Sequence, residues 1–159
     1  MKKKKRFISK KAQDHASRGT FIYPQKYLPK KVLTMKSGGH GQENISFLNK
    51  KKISHDIETI FSNGVRLGHI DNHIKAYNCR KNGHAWFPTF WSKQDIKNAG
   101  LHVASLKRNT PLRDNQKHTG RYKGVSVGIY AKKNRIQTIF PCFDVNKHAM
   151  KKTHSIFTK

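Results

Sequence analysis

The chain reads as one α+β domain in which helices precede and interrupt antiparallel hairpins. Three observations predict this. Asn63-Gly64 lies between two apolar runs, a hairpin turn signal because both residues tolerate positive φ. Val125, Val127 and Ile129 alternate with Ser126, Gly128 and Tyr130 ahead of Lys132-Lys133-Asn134, which marks a second hairpin. Ser92-Lys93-Gln94-Asp95 has the form of a capping box, with Asp in place of the usual Glu, and so opens a helix between the two hairpins. The length of 159 residues suits a single domain, and no segment repeats.

Taken in order, residues 1–31 are basic and irregular, broken by Pro24 and Pro29, and read as a flexible tail or lead-in. The folded domain is expected over residues 32–146, with 147–159 a basic end of little pattern. The stretch Ser37 to Asn44 opens a helix that runs to about Lys51, with Ile45 and Leu48 as its apolar stripe. Ile53–Phe61 is read as a strand, Ser62-Asn63-Gly64 as the turn and Val65–Ile70 as the return. Trp86, Phe87 and Trp91 are expected in the core, where large aromatics bury the most area. The helix from Ser92 is expected to stop at Gly100, a favourable residue just past a helix end, with a strand over Leu101–Leu106 and a polar loop over Lys107–Gly120. Arg135–Phe140 completes the second hairpin.

Charge narrows the function. Lys and Arg number 34 against 8 Asp and Glu, a formal net charge of +26. Such a field draws in polyanions, and nucleic acid is the leading partner because its phosphates reward many cationic contacts by counterion release. Anionic membranes and acidic proteins are the alternatives. No apolar run is long enough to span a bilayer. The start MKKKKRFISKK has basic residues with no apolar segment after them, unlike the usual secretory signal. Cys79 and Cys142 allow one pair and no Cys-x-x-Cys, so two reduced thiols are expected rather than a disulfide framework.

His69 and His73 stand four apart, a spacing that on a helix starts many metal sites. Here His69 ends a strand and His73 follows Asp71-Asn72, so the spacing is not a helical face. The eight acidic residues are thinly spread, Asp56 and Glu58 being the one close pair, whereas two-metal nucleases need several carboxylates to hold cations. No metal and no other cofactor is called for. A metal-free route exists for RNA: the 2′-hydroxyl attacks the adjacent phosphorus, one group takes its proton, another protonates the leaving 5′-oxygen, and a cation steadies the phosphorane. Histidine suits both proton transfers and lysine the third role. Ten histidines and few acids are compatible with that chemistry. The charge alone favours a non-catalytic RNA-binding protein, since +26 suits many binders.

The ordered motifs go further. Gly38-Gly39-His40-Gly41-Gln42-Glu43-Asn44-Ile45 is followed by Asn63 to Gly68, Asn72-His73, Ala85-Trp86-Phe87-Pro88, Trp91, Asp95-Ile96, Ala99-Gly100, Val103 to Leu106, Tyr122 to Gly128 and Ile136 to Pro141. Their order and spacing, from about Thr34 to Asp144, resemble the bacterial EndoU-type ribonuclease domain at the C-termini of polymorphic and contact-dependent inhibition toxins. The resemblance implies N-terminal helices packed on antiparallel sheet, as in barnase, colicin-type and RelE-type ribonucleases. It implies metal-independent RNA cleavage, at uridine-containing sites and in some members within tRNA, that leaves 2′,3′-cyclic phosphate and 5′-hydroxyl ends. It implies action in the cytoplasm of a target cell after secretion or delivery, and a cognate immunity protein as partner. By position, His40 and His73 match the two family histidines, His73 as general base and His40 as general acid. Thr138 matches a threonine at the phosphate or base, and Phe140 an aromatic that stacks on a base. A lysine is expected directly after His73; Ile74 stands there, which leaves Lys75 as the cationic residue. His84 and His69 replace the more usual glutamine and asparagine and have no assigned role.

Overall fold

Helix α1 (Lys10–Ser17) begins the architecture in the computed structural model, which describes residues 8–24, 31–74 and 83–142 and the strand 152–154. Ser9 caps α1, its Oγ accepting from the Ala12 amide at 3.1 Å. Ile8, Ala12 and Ala16, spaced by four, form a narrow apolar stripe that enters the core. Alanine contributes little hydropathy, so this helix is hard to see in a stretch crowded with lysine, and the sequence reads it as lead-in. Gly19, at φ 95°, turns the chain out of α1 into β1 (Thr20–Ile22), which pairs antiparallel with β2 (Thr34–Ser37).

Helix α2 (Gln42–Lys50) precedes the first predicted hairpin, β3 (His55–Phe61) and β4 (Arg66–Ile70), which agrees with the sequence to within two residues. The Asn63 carboxamide oxygen accepts from the Val65 amide and fixes the turn. A short strand β5 (His84–Trp86) pairs with β4 on one side of this sheet. Helix α3 (Lys93–Ser105) carries both halves of its predicted capping box, the Ser92 side chain and the Asp95 carboxylate each bonding the other residue's amide. A 3₁₀ turn, Lys107–Asn109, leads towards β6 (His118–Tyr122), β7 (Val125–Lys132) and β8 (Arg135–Pro141), a three-stranded antiparallel sheet. Backbone pairing adds β9 (Lys152–His154) against β3, so the larger sheet runs β5-β4-β3-β9. Three helices and three small antiparallel sheets make the described residues an α+β fold.

Two local expectations are corrected. Helix α3 does not stop at Gly100 but continues to Ser105, so Leu101–Leu106 is helix rather than strand. Gly100 is there for close packing: a Cβ would lie 2.4 Å from Ile139 Cδ1 on β8. The polar loop after α3 also ends early, because His118–Tyr122 is a strand. Its turn to β7 uses Lys123 and Gly124 at φ 46° and 76°, and the β7–β8 turn uses Lys133 and Asn134 at φ 49° and 60°. Two successive positive φ values are what a tight hairpin requires, and lysine at such a position gives no sequence signal.

Apolar residues gather in two clusters. One joins α1 and α3 to β7 and β8 and contains Phe87 and Trp91, stacked at 5.0 Å. The other lies under α2 and centres on Met35, Leu48, Ile70 and Trp86. Arg66 joins them: its Nε and Nη2 donate to the Phe87 carbonyl and its Nη1 donates to Gln42 Oε1 at 2.6 Å. Burial pulls the Arg66 pKa down to about 10, so the side chain stays charged at neutral pH. Lys93 ties the three helices at one point, pairing with Asp14 of α1 and lying 4.0 Å from Glu43 of α2.

Gly68 offers a direct check of the β3–β4 pairing. A Cβ there would lie 1.7 Å from the Asp56 carbonyl oxygen, an overlap only backbone movement can relieve. Gly68→Ala is expected to lower stability by about 2–3 kcal/mol and Tm by roughly 5–10 °C, measured by calorimetry. An unchanged Tm would show that the two strands do not approach so closely.

Candidate active site

The site begins at the end of α1. The last carbonyls of a helix have no partner within it. In α1 those of His15, Ala16 and Ser17 accept in turn from the amides of Gly39, His40 and Gly41, at 2.9, 2.7 and 3.0 Å. Such close docking needs Gly38 and Gly39, both at positive φ. A Cβ on Gly38 would sit 2.2 Å from the His15 carbonyl oxygen, and one on Gly39 would sit 2.4 Å from Asn44 Nδ2. The His40 carbonyl accepts from the Phe87 amide at 2.7 Å, so the backbone of His40 is held on both sides. Buried Asn44 completes the frame, donating to the Arg18 carbonyl at 2.7 Å and accepting from Trp86 Nε1 at 2.9 Å.

His40 Nδ1 lies 2.8 Å from the Ala85 carbonyl oxygen. A carbonyl can only accept, so the proton sits on Nδ1 and the neutral ring keeps its lone pair on Nε2. His84, buried on β5, makes the mirror arrangement, its Nε2 donating to the Gly39 carbonyl at 2.7 Å. Its ring stacks on His40 at 4.9 Å with 4° between the planes and meets Trp86 edge-on at 4.7 Å. The His73 ring stands 6.2 Å from that of His84. Its backbone is held by β2, where Met35 donates to the Asn72 carbonyl at 2.8 Å and accepts from the Ile74 amide at 2.9 Å. Three histidines from three segments thus share one corner.

Burial is the main cause that pushes the His40 pKa down, to about 4; the Ala85 carbonyl opposes it, and the neighbouring His15 and His73 add to it. Burial also drives His84 well below the usual imidazole range, with His40 and His73 reinforcing the shift and the Gly39 carbonyl opposing it. Both rings are neutral at pH 7.

The facing wall comes from the three-stranded sheet. The Phe140 ring lies 6.2 Å from that of His40 and stacks with Tyr130 at 5.5 Å. Thr138 is two residues before Phe140 on β8, hence on the same face, and pairs across with Tyr130. Gly128 leaves space for the phenyl ring, since a Cβ there would be 2.5 Å from it. Tyr130 is 39% exposed, an aromatic surface open to solvent.

Of the residues expected from sequence, His40, His73 and Phe140 are brought together, with Thr138 on the same sheet face. Lys75 lies outside the described residues. His69 is elsewhere, its ring nitrogens 2.9 Å from Glu58, 3.2 Å from Asp56 and 3.6 Å from Asp71. Among the described residues no cluster of histidine, cysteine and carboxylate side chains is arranged to hold a metal ion. Sequence reasoning left His84 and Tyr130 without a role. The available signals were the His84-x-Trp86 spacing, which puts both rings on one face of a strand, and the Tyr130 alternation on β7.

The family model described as bacterial EndoU nuclease matches residues 9–142. The chain belongs to the bacterial EndoU nuclease family. No curated protein and no solved structure was found to match it. The match starts at Ser9, the cap of α1, and ends at Cys142, just past β8. The EndoU nuclease domain therefore includes the helix whose carbonyls hold the His40 loop.

The low histidine pKa values set an acid limit on this nuclease. A group that resists protonation when folded binds fewer protons than it does unfolded, so stability rises with pH across that interval. For His40 the interval runs from about 4 to the usual value near 6.5, and the stability it confers is lost as pH falls through that window. Melting curves from pH 7 to pH 4 are expected to show a falling Tm, and His40→Gln a shallower fall. Equal slopes for the two proteins would show that His40 titrates normally.

Proposed function

We propose that this nuclease is a metal-independent endoribonuclease that cuts RNA by 2′-hydroxyl attack, leaving 2′,3′-cyclic phosphate and 5′-hydroxyl ends. The observation that carries the reading is His40: its Nδ1–H is fixed on a carbonyl, its Nε2 is left for proton transfer, and a second histidine and an aromatic wall stand beside it. His73 takes the 2′-hydroxyl proton as the oxygen attacks phosphorus. Protonated His40 gives a proton to the departing 5′-oxygen. The Nδ1 bond to Ala85 persists in both protonation states, so His40 can change charge without moving. The negative charge of a bound phosphodiester offsets the burial that keeps free His40 neutral and supplies the cation an acid needs.

His84 is not a proton carrier in this scheme. Its ring, clamped between His40 and Trp86, sets the plane of the His40 ring. Lys75 is the cation that steadies the phosphorane. Thr138 bonds the phosphate or the base, and Phe140 stacks on the base, backed by Tyr130. Uridine-containing RNA, tRNA included, is the proposed substrate. The formal +26 charge supports a polyanion of that kind. Delivery to a target-cell cytoplasm and restraint by a cognate immunity protein belong to the same proposal, on the ground of the family resemblance.

Cleavage of a uridine-containing oligonucleotide is expected to proceed in EDTA and to stop when the uridine 2′-hydroxyl is replaced by hydrogen. His40→Ala and His73→Ala should each lower kcat about 10²–10⁴-fold with unchanged circular dichroism. Cutting of the 2′-deoxy substrate would overturn the mechanism. Salt-sensitive binding with RNA left intact would indicate a binding protein instead.

A further inference from the structure

An open groove of about 910 Å³ lies along α1, away from the histidine corner but joined to it. Its rim carries the exposed side chains of Lys10, Lys11 and Arg18, and its floor holds the half-buried rings of Phe21 and Phe47, 4.4 Å apart. Two cations lie near the Phe47 ring, Arg18 Cζ at 6.0 Å and Lys51 Nζ at 5.8 Å from its centre. The one carboxylate in the wall, Asp14, is paired with Lys93 and held below its usual pKa by that bond. Gln137 of β8 lines this groove and also a second basic groove with Lys132, Lys133 and Arg135. His15 joins the groove to the active site: its side chain lines the groove, while its carbonyl accepts from Gly39, next to His40.

Packing within the domain does not need Lys10, Lys11 and Arg18 exposed along a groove floored by an aromatic pair. A strand with anionic links and flat bases does, because cations follow its backbone and aromatics stack its bases whatever their sequence. Building on the endoribonuclease reading, we infer that the α1 groove is a subsite for single-stranded RNA flanking the scissile phosphate. Lys10, Lys11 and Arg18 neutralise phosphates, a base stacks on Phe47, and the strand continues past Gln137 towards Lys132, Lys133 and Arg135. Substrates long enough to fill the groove are therefore preferred over dinucleotides.

The test compares a uridine-containing dinucleotide with a 12-nucleotide RNA bearing one uridine, cut by the full chain and by Lys10→Ala/Lys11→Ala/Arg18→Ala. The ratio of kcat/KM on the long substrate to that on the short one is expected to fall at least tenfold. The slope of log kcat/KM against log salt on the 12-mer should become shallower by about 2, for three lost single-strand phosphate contacts. Phe47→Leu, which keeps an apolar side chain under Phe21, should lower the same ratio at least fivefold. Ratios within twofold of wild type in both variants overturn the proposal. Should the wild type cut neither RNA, the cleavage reading fails and 12-mer affinity decides: a tenfold weaker Kd in the triple variant upholds the groove, and an equal Kd overturns it. Unchanged RNA affinity with lost binding to polyglutamate would assign the surface to an acidic protein and overturn it as well.

Discussion

The site depends on three hydrogen bonds between the end of one helix and one glycine-rich loop. The His15, Ala16 and Ser17 carbonyls would otherwise be orphan acceptors, and the Gly39, His40 and Gly41 amides orphan donors. Each such bond contributes about 1 kcal/mol net, and leaving either partner buried and unpaired costs more. The pairing requires two glycines at positive φ, since any Cβ at Gly38 would strike the His15 carbonyl. It also has an electrostatic result. A helix C-terminus carries partial negative charge, which favours a cation nearby. The contact that positions His40 therefore also lowers the cost of protonating it, against the burial that keeps it neutral at rest.

The parallel stack of His40 on His84 follows from the same frame. Two imidazoles at 4.9 Å would repel if both were charged, and each is instead committed to a backbone carbonyl through one ring nitrogen. Those carbonyls, Ala85 and Gly39, lie one residue along the chain from His84 and His40, so each histidine bonds the neighbour of the other. This reciprocal link joins the loop to β5 and defines tautomer and ring plane together. The aromatic side of the corner is set independently by β7 and β8, where Gly128 makes room for Phe140. The His40 loop with β5 and the β7–β8 pair thus contribute one wall each, and the histidines and the aromatic face have separate supports.

How much of this could be read from the chain depended on whether local chemistry or distant packing decides each element. The Asn63-Gly64 turn, the Ser92–Asp95 box and the β7–β8 alternation are local, and the structure reproduces them. Helix α1 escaped because its buried face is built of alanine, a good helix former with almost no hydropathy. The end of α3 was misplaced because Gly100 mimics a helix stop while serving contact with Ile139, a residue on another element. Strand β6 was hidden by a turn that puts Lys123 at positive φ. In the site, His40, His73, Thr138 and Phe140 were legible only as an ordered set of motifs. His84 was not, because its importance lies in a stack across 44 residues of chain that no spacing rule describes.

The scarce carboxylates complete the physical picture. Asp14 and Glu43 face Lys93, Asp56, Glu58 and Asp71 surround His69, Asp95 caps α3 and meets Lys123, and Asp114 accepts from the Lys133 amide. Each described acid thus has a partner inside the protein. On the proposed reading, a phosphodiester at this corner meets the neutral imidazoles of His40 and His84 and the aromatic face of Phe140 and Tyr130. The charge excess is then more than a bulk property that keeps the chain soluble. With 8 acidic residues against 34 Lys and Arg, the net field of the chain is strongly positive. On the proposed reading, that excess steers a polyanion to the protein, and the arriving phosphate lets the neutral, carbonyl-anchored His40 become cationic.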